Sequence, residues 1–147
     1  MPFDRELLEA RLALDLIASA DWPKVAQDAM EAGVDGPATL RLAVLEKPSF
    51  FEIRDLLPRV TEEMRLSGLS KGIAAERIAK SLAGEILNSG KDPLRYLREL
   101  EWLYIKSDYA KEVRPVGTLD DEVYISCTTA AGKREFVRAR LRAFLNC

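Results

Sequence analysis

The side chains of this 147-residue chain that could do chemistry are defined first by a gap: there is no histidine. Ser-His-Asp and Cys-His nucleophile pairs are therefore out, as is a histidine base titrating near neutral pH. The two cysteines, Cys127 and Cys147, lack metal-ligand spacing, and a zinc site would have to recruit distant carboxylates to reach four ligands. With no export signal at the amino terminus they read as reduced thiols. A carboxylate pair or a lysine of shifted pKa remains as a route to catalysis, and no spacing points to one. A carboxylate-based enzyme is the least favoured reading; no catalytic residue, metal or cofactor is assigned.

Three groups of residues could make contacts instead. Arg134, Arg138 and Arg142 recur at four-residue spacing, flanked by Lys133 and Arg140. Guanidinium groups so arrayed on a helix could meet phosphates or an acidic partner. Aromatics do not interleave them, however, and the chain's net charge is −2, the opposite of the usual nucleic-acid binder. A solvated face with internal ion pairs is the plainer expectation. Trp102 stands among Arg95, Arg98, Ile105 and Lys106, on the side of its helix opposite the apolar stripe. Tryptophan and arginine are the types that anchor interfaces, and Arg98, one turn earlier, could lie over the indole. The competing expectation, and the favoured one, is that residues 107–125 fold back and cover the ring. Asp120-Asp121-Glu122 invites a divalent-metal reading, but sequence neighbours point apart on a helix and no calcium-loop spacing surrounds them. A helix N-terminus suits their charge better. Gly33-Val-Asp-Gly36 is too short for a phosphate loop and follows no strand.

The elements that must hold these groups are marked by four emphatic helix starts: Asp21-Trp22-Pro23, Asp35-Gly36-Pro37, Ser49-Phe50-Phe51-Glu52 and Asp92-Pro93. Asp or Ser ahead of a helix accepts a hydrogen bond from an orphan N–H of the first turn. Proline there loses a donor without an intrahelical partner, and Ser49 with Glu52 spells a capping box. Apolar periodicity then predicts helices over about 5–19, 23–32, 37–46, 50–66, 70–88 and 94–106, and a last one from Thr128 or Thr129. The first has a broad apolar face through Ala10 and Leu14, and a second stripe of Leu8, Leu12 and Leu16. That stripe is either sandwiched between neighbours, the favoured expectation, or offered to a partner. The second helix turns Met30 inward, the third buries Leu40, Ala43 and Val44, and Pro58 kinks or breaks the fourth. Residues 107–125 read least clearly. A short helix with irregular flanks is expected, although 122–127 has strand-like composition.

The segment Ala29–Ala43, the Asp92-Pro93-Leu94 start and Val116-Gly-Thr-Leu-Asp120-Asp-Glu122 resemble parts of small all-helical bacterial proteins of uncharacterised function, HEAT-like or immunity-type helical modules. The resemblance implies an all-α fold and brings no catalytic residues with it.

Hydrophobic residues at 48% and charged ones at 31% are ordinary globular values, and the length suits one domain over residues 1–147. No apolar stretch reaches 18 residues and the amino terminus is polar and acidic, so a cytoplasmic chain without a membrane span is expected. Charge is uneven: residues 1–48 hold 5 basic and 9 acidic side chains, residues 126–147 hold 5 and 1. The expected molecule is an all-α domain of about six main helices in consecutive antiparallel pairs, a bundle or short HEAT-like array, with a short helix before the last. Its expected role is a non-catalytic protein-interaction module, adaptor or immunity-like. Leu8, Leu12, Leu16, Arg95, Arg98 and Trp102 are its contact candidates. The partner is another protein or a second copy, so a homodimer is compatible. Nucleic-acid or phosphate binding through Arg134, Arg138 and Arg142 is the alternative.

Overall fold

In the computed structural model, which describes residues 3–147, the regular elements are all helical, and no strand occurs among the described residues. Eight helices and one single-turn segment are present among the described residues, more than the six main helices expected. Packing divides them into two compact units, Met1–Leu69 and Ser70–Cys147. The reading of 1–147 as one domain rests on length and composition alone.

The first unit holds α1 (Arg5–Ala13), α2 (Trp22–Glu31), α3 (Pro37–Ala43) and α4 (Phe50–Glu63). Its core gathers Leu8, Trp22, Ala26, Ala29, Leu42, Ile53, Val60 and Met64. Ile53 and Val60 of α4 and Met64 at its end are buried in this core, with Leu56 and Leu57 partly buried against it, and the helix runs unbroken through Pro58. Helix α1 is shorter than expected. It stops at Leu14 because Asp15 turns left-handed at φ 55°, and the N–H groups of Asp15 and Leu16 return to the carbonyls of Leu12 and Arg11. This pattern closes a helix by satisfying its last carbonyls. Leu16 therefore lies outside α1 and no Leu8/Leu12/Leu16 stripe forms. Leu8 is core, and Leu12 is half-buried against that core.

Helix α3 is rotated from its expected phase. Ala38, Thr39, Leu42 and Ala43 face inward, while Leu40 and Val44 are 51% and 68% exposed. Seven residues, with apolar side chains on more than one side, leave the phase undetermined by pattern, and a tertiary contact settles it. The Glu63 carboxylate, at the end of α4, accepts the N–H of Ala38 at 3.1 Å and of Thr39 at 2.7 Å, and the Thr39 hydroxyl at 2.7 Å. Asp35 does not cap this helix; Gly36 precedes it, and a Cβ at Gly36 would overlap the Glu63 carboxylate. Met30, expected inward, is also exposed.

Of the four emphatic starts, two act as expected. Ser49 and Glu52 form the reciprocal capping box at 3.2 and 3.1 Å, and Asp92 Oδ1 accepts the Leu94 N–H at 3.1 Å. Asp21 does not cap, because Ser19–Asp21 already forms a 3-10 turn that runs into α2.

The second unit holds α5 (Lys71–Ser89), α6 (Leu97–Lys106), the single turn α7 (Arg114–Gly117), α8 (Leu119–Ser126) and α9 (Ala130–Leu145). Ser70 and Thr129 cap α5 and α9. Small residues on α5 (Ala74, Ala75, Ala79 and Ala83) are fully buried and let neighbours approach closely. The strand-like stretch 122–127 is helical up to Ser126: Leu119 and Val123, one turn apart, are buried on one side of α8. Long helices with local hydrogen bonds thus position everything that follows.

Candidate interaction surface

Helix α6 buries Leu97, Leu100 and Leu103. On the same side Tyr104 meets the single turn α7 so closely that a Cβ on Gly117 would overlap its Cβ and ring. At 100° per residue, that orientation carries Arg98, Trp102 and Ile105 to the centre of the opposite face. Trp102 is 49% exposed and Ile105 46%. Arg98 is exposed, as is Arg95 in the 3-10 turn Pro93–Tyr96 that leads into α6. The cation over the indole is Lys106, with Nζ 6.0 Å from the ring centroid, rather than Arg98.

The expectation that residues 107–125 cover Trp102 is not met. That segment buries Val113, Val116, Leu119 and Val123, and its turns pack on α5 and on the inner side of α6. Chain reversal begins at Asp108 and Tyr109, both left-handed. Tyr109 stacks edge-on against Tyr104 with centroids 5.2 Å apart, and Lys71 reaches Asp108 at 3.1 Å. The chain thus leaves α6 on its inner side and the indole stays open.

The arginines of α9 are brought together on one helix but are largely engaged within the unit. Arg134 Nε donates to Asp92 Oδ1 at 3.2 Å, so one carboxylate oxygen both caps the turn before α6 and holds α9. The Asp92 pKa is lowered, first by the Leu94 N–H and then, against some desolvation, by Arg134 and Arg95. Arg142 pairs with Glu135 at 3.4 Å and Arg140 with Glu122 at 3.3 Å. Lys133 lies 4.4 Å from the Tyr124 centroid. Arg138 is half-buried. Asp120, Asp121 and Glu122 occupy the first turn of α8, and no cluster of metal-ligating side chains is found among the described residues.

Two exposed apolar groups escaped the reading of the sequence. Phe50 and Phe51 follow the Ser49 cap and are 64% and 63% exposed; Tyr124 and Ile125 on α8 are 69% and 87% exposed. The signal for the first pair was present. Phe51 falls off the Ile53/Val60/Met64 side of α4, so helical phase alone leaves its ring outside the core. Leu8, Leu12 and Leu16, by contrast, assemble no surface.

Among known protein families, curated proteins and solved structures, no match to this chain is found.

Proposed function

We propose that this chain is a non-catalytic protein-interaction module, adaptor or immunity-like, that engages its partner through the outer face of α6. The observation that carries the reading is the half-exposed Trp102, flanked by Ile105 and Lys106 and preceded by Arg98. A large flat ring held on a rigid helix offers contact area at low entropic cost, and arginine beside it supplies directed hydrogen bonds. The cytoplasm and a consecutive antiparallel, HEAT-like helix arrangement belong to the same proposal. No helix among the described residues is long and apolar enough to cross a membrane. Phosphate binding through α9 is disfavoured by the pairing of Arg134, Arg140 and Arg142 with carboxylates of their own unit.

The test compares wild type with Trp102→Ala and Arg98→Glu as baits at matched folding. Partners retained by wild type and lost from both variants are expected. Identical partner sets from all three baits would refute the assignment.

A further inference from the structure

Charge narrows the partner of the α6 face. Divided at the boundary between the two compact units, the chain is polarised: residues 1–69 hold 8 basic and 13 acidic side chains, residues 70–147 hold 14 and 11. The net −2 of the whole is therefore −5 in the first unit and +3 in the second, which carries Trp102. Within that second unit Lys71, Lys91, Arg134, Arg140 and Arg142 are each held by a carboxylate. Arg95, Arg98 and Lys106 form no ion pair among the described residues. Arg98 and Lys106 lie about 40° to either side of Trp102 on the helical wheel, one turn before and one turn after it, and Lys106 already reaches over the indole. The apolar centre, Trp102 with Ile105, is thus bracketed by two cations, and exposed Arg95 stands in the turn ahead of the helix. The acids of α6 are set farther out: Glu99 is exposed about 60° from Trp102, and half-buried Glu101 is about 100° from it.

Building on α6 as the contact face, we infer that its partner is an acidic protein surface, with an apolar contact that meets Trp102 and Ile105 and carboxylates beside it that pair with Arg98 and Lys106. A guanidinium takes a carboxylate through two parallel hydrogen bonds, which fixes orientation as well as adding attraction. Opposite charges around an apolar centre steer encounter and set register more than they raise affinity. A nucleic acid fits this face less well. Its phosphates follow one another along the strand, so a strand lying on α6 also meets Glu99, whereas a protein can place its carboxylates singly. Three cations are also few for a polyanion approaching a chain whose net charge is −2.

Random dodecapeptides displayed on phage, selected on the full chain and counter-selected on Trp102→Ala, supply the probe. Peptides retained by wild type alone are expected to be enriched in Asp and Glu next to an aromatic or aliphatic residue. The tightest of them, made as a free peptide, should lose at least about fivefold in affinity on Arg98→Gln or Lys106→Gln, the scale of one interface contact. It should lose little on Arg142→Gln, whose cation is already held by Glu135. Binding to wild type should also weaken as sodium chloride is raised; this series needs no variant and decides alone if a substitution unfolds the chain by circular dichroism. Trp102-dependent peptides without acidic enrichment, or affinity indifferent to salt and to both substitutions, would overturn the acidic partner and leave the α6 face standing. Oligothymidylate bound through Trp102 more tightly than the peptide would overturn it in favour of a nucleic acid. A selection that yields no Trp102-dependent peptide would remove the face itself, and the inference with it.

Discussion

Glu63 Oε1 accepts both the backbone N–H and the hydroxyl of Thr39, each at 2.7 Å. Thr39 is fully buried, so the two groups it brings inside would otherwise be unsatisfied, at a cost of about 1–3 kcal/mol each. The carboxylate supplies α3 with the cap that its own Asp35 does not provide, and it does so from the far end of α4. A related arrangement recurs in the second unit, where the Glu112 carboxylate lies against Gly72 in the first turn of α5. In both places a glycine leaves room for an acid from another element, at the end of a helix that favours negative charge.

Gly36→Ala should therefore destabilise the chain although Gly36 sits at φ 179°, a conformation any residue adopts. The added Cβ displaces the carboxylate, and loss of such a cap costs about 2 kcal/mol. Urea denaturation checks this. Gly84→Ala, which has open space around it in the middle of α5, should instead be neutral or stabilising by up to about 1 kcal/mol.

Stability should fall with acid in a way that depends on Glu63. Desolvation works to raise its pKa, but the hydrogen bonds from Thr39 and Ala38, helped by the Arg59 charge, outweigh it and leave the folded value below 4.5. A depressed folded pKa contributes stability that is present above the unfolded value and is lost as pH falls through the folded one. Below about pH 4.5 the wild-type melting temperature should drop more steeply than that of Glu63→Gln. Parallel curves would remove Glu63 from the account.

The two tryptophans should behave as opposites. Trp22 is 2% exposed and Trp102 49%. In Trp22→Phe the remaining indole should emit at long wavelength and be readily quenched by acrylamide; in Trp102→Phe it should be blue-shifted and shielded. Trp22→Ala should cost about 3–5 kcal/mol, and Trp102→Ala within about 0.5 kcal/mol, as for an ordinary surface position.

The leucines of the first helix separate in the same manner. Leu8→Ala should cost about 2–5 kcal/mol. Leu16→Ala should cost clearly less, because Leu16 lies beyond the left-handed Asp15 and is only half-buried. Equal losses would restore the continuous stripe.

These contrasts show where the sequence was readable. Ser49 and Asp92 cap the turns that directly follow them, so their partners are two or three residues away and local chemistry suffices. The α6 wheel was equally plain, because Leu97, Leu100 and Leu103 leave Trp102 only one side to occupy. Glu63 serves a helix that starts more than 20 residues earlier, and no local pattern announces it; local periodicity alone points Leu40 inward, where the structure leaves it 51% exposed. The helix stops were half visible. After α2 and α5 the positive-φ positions fall on Gly33 and Gly90, residues that mark a stop in the sequence, whereas Asp15, Arg65 and Asp108 turn to positive φ without glycine, and only the tertiary fold holds them there. The Asp92–Arg134 contact joins residues 42 apart, which turns an apparent anion site into a strut.

The most direct test of the central claim is photo-crosslinking from position 102. A benzophenone side chain replacing Trp102 in the full chain, with one at exposed Ser81 on α5 as control, should capture a discrete protein from cells only at 102. The capture should be competed by excess wild type and not by Trp102→Ala. Equal capture from both positions, or competition by the alanine variant as effective as by wild type, would contradict the assignment of the α6 face.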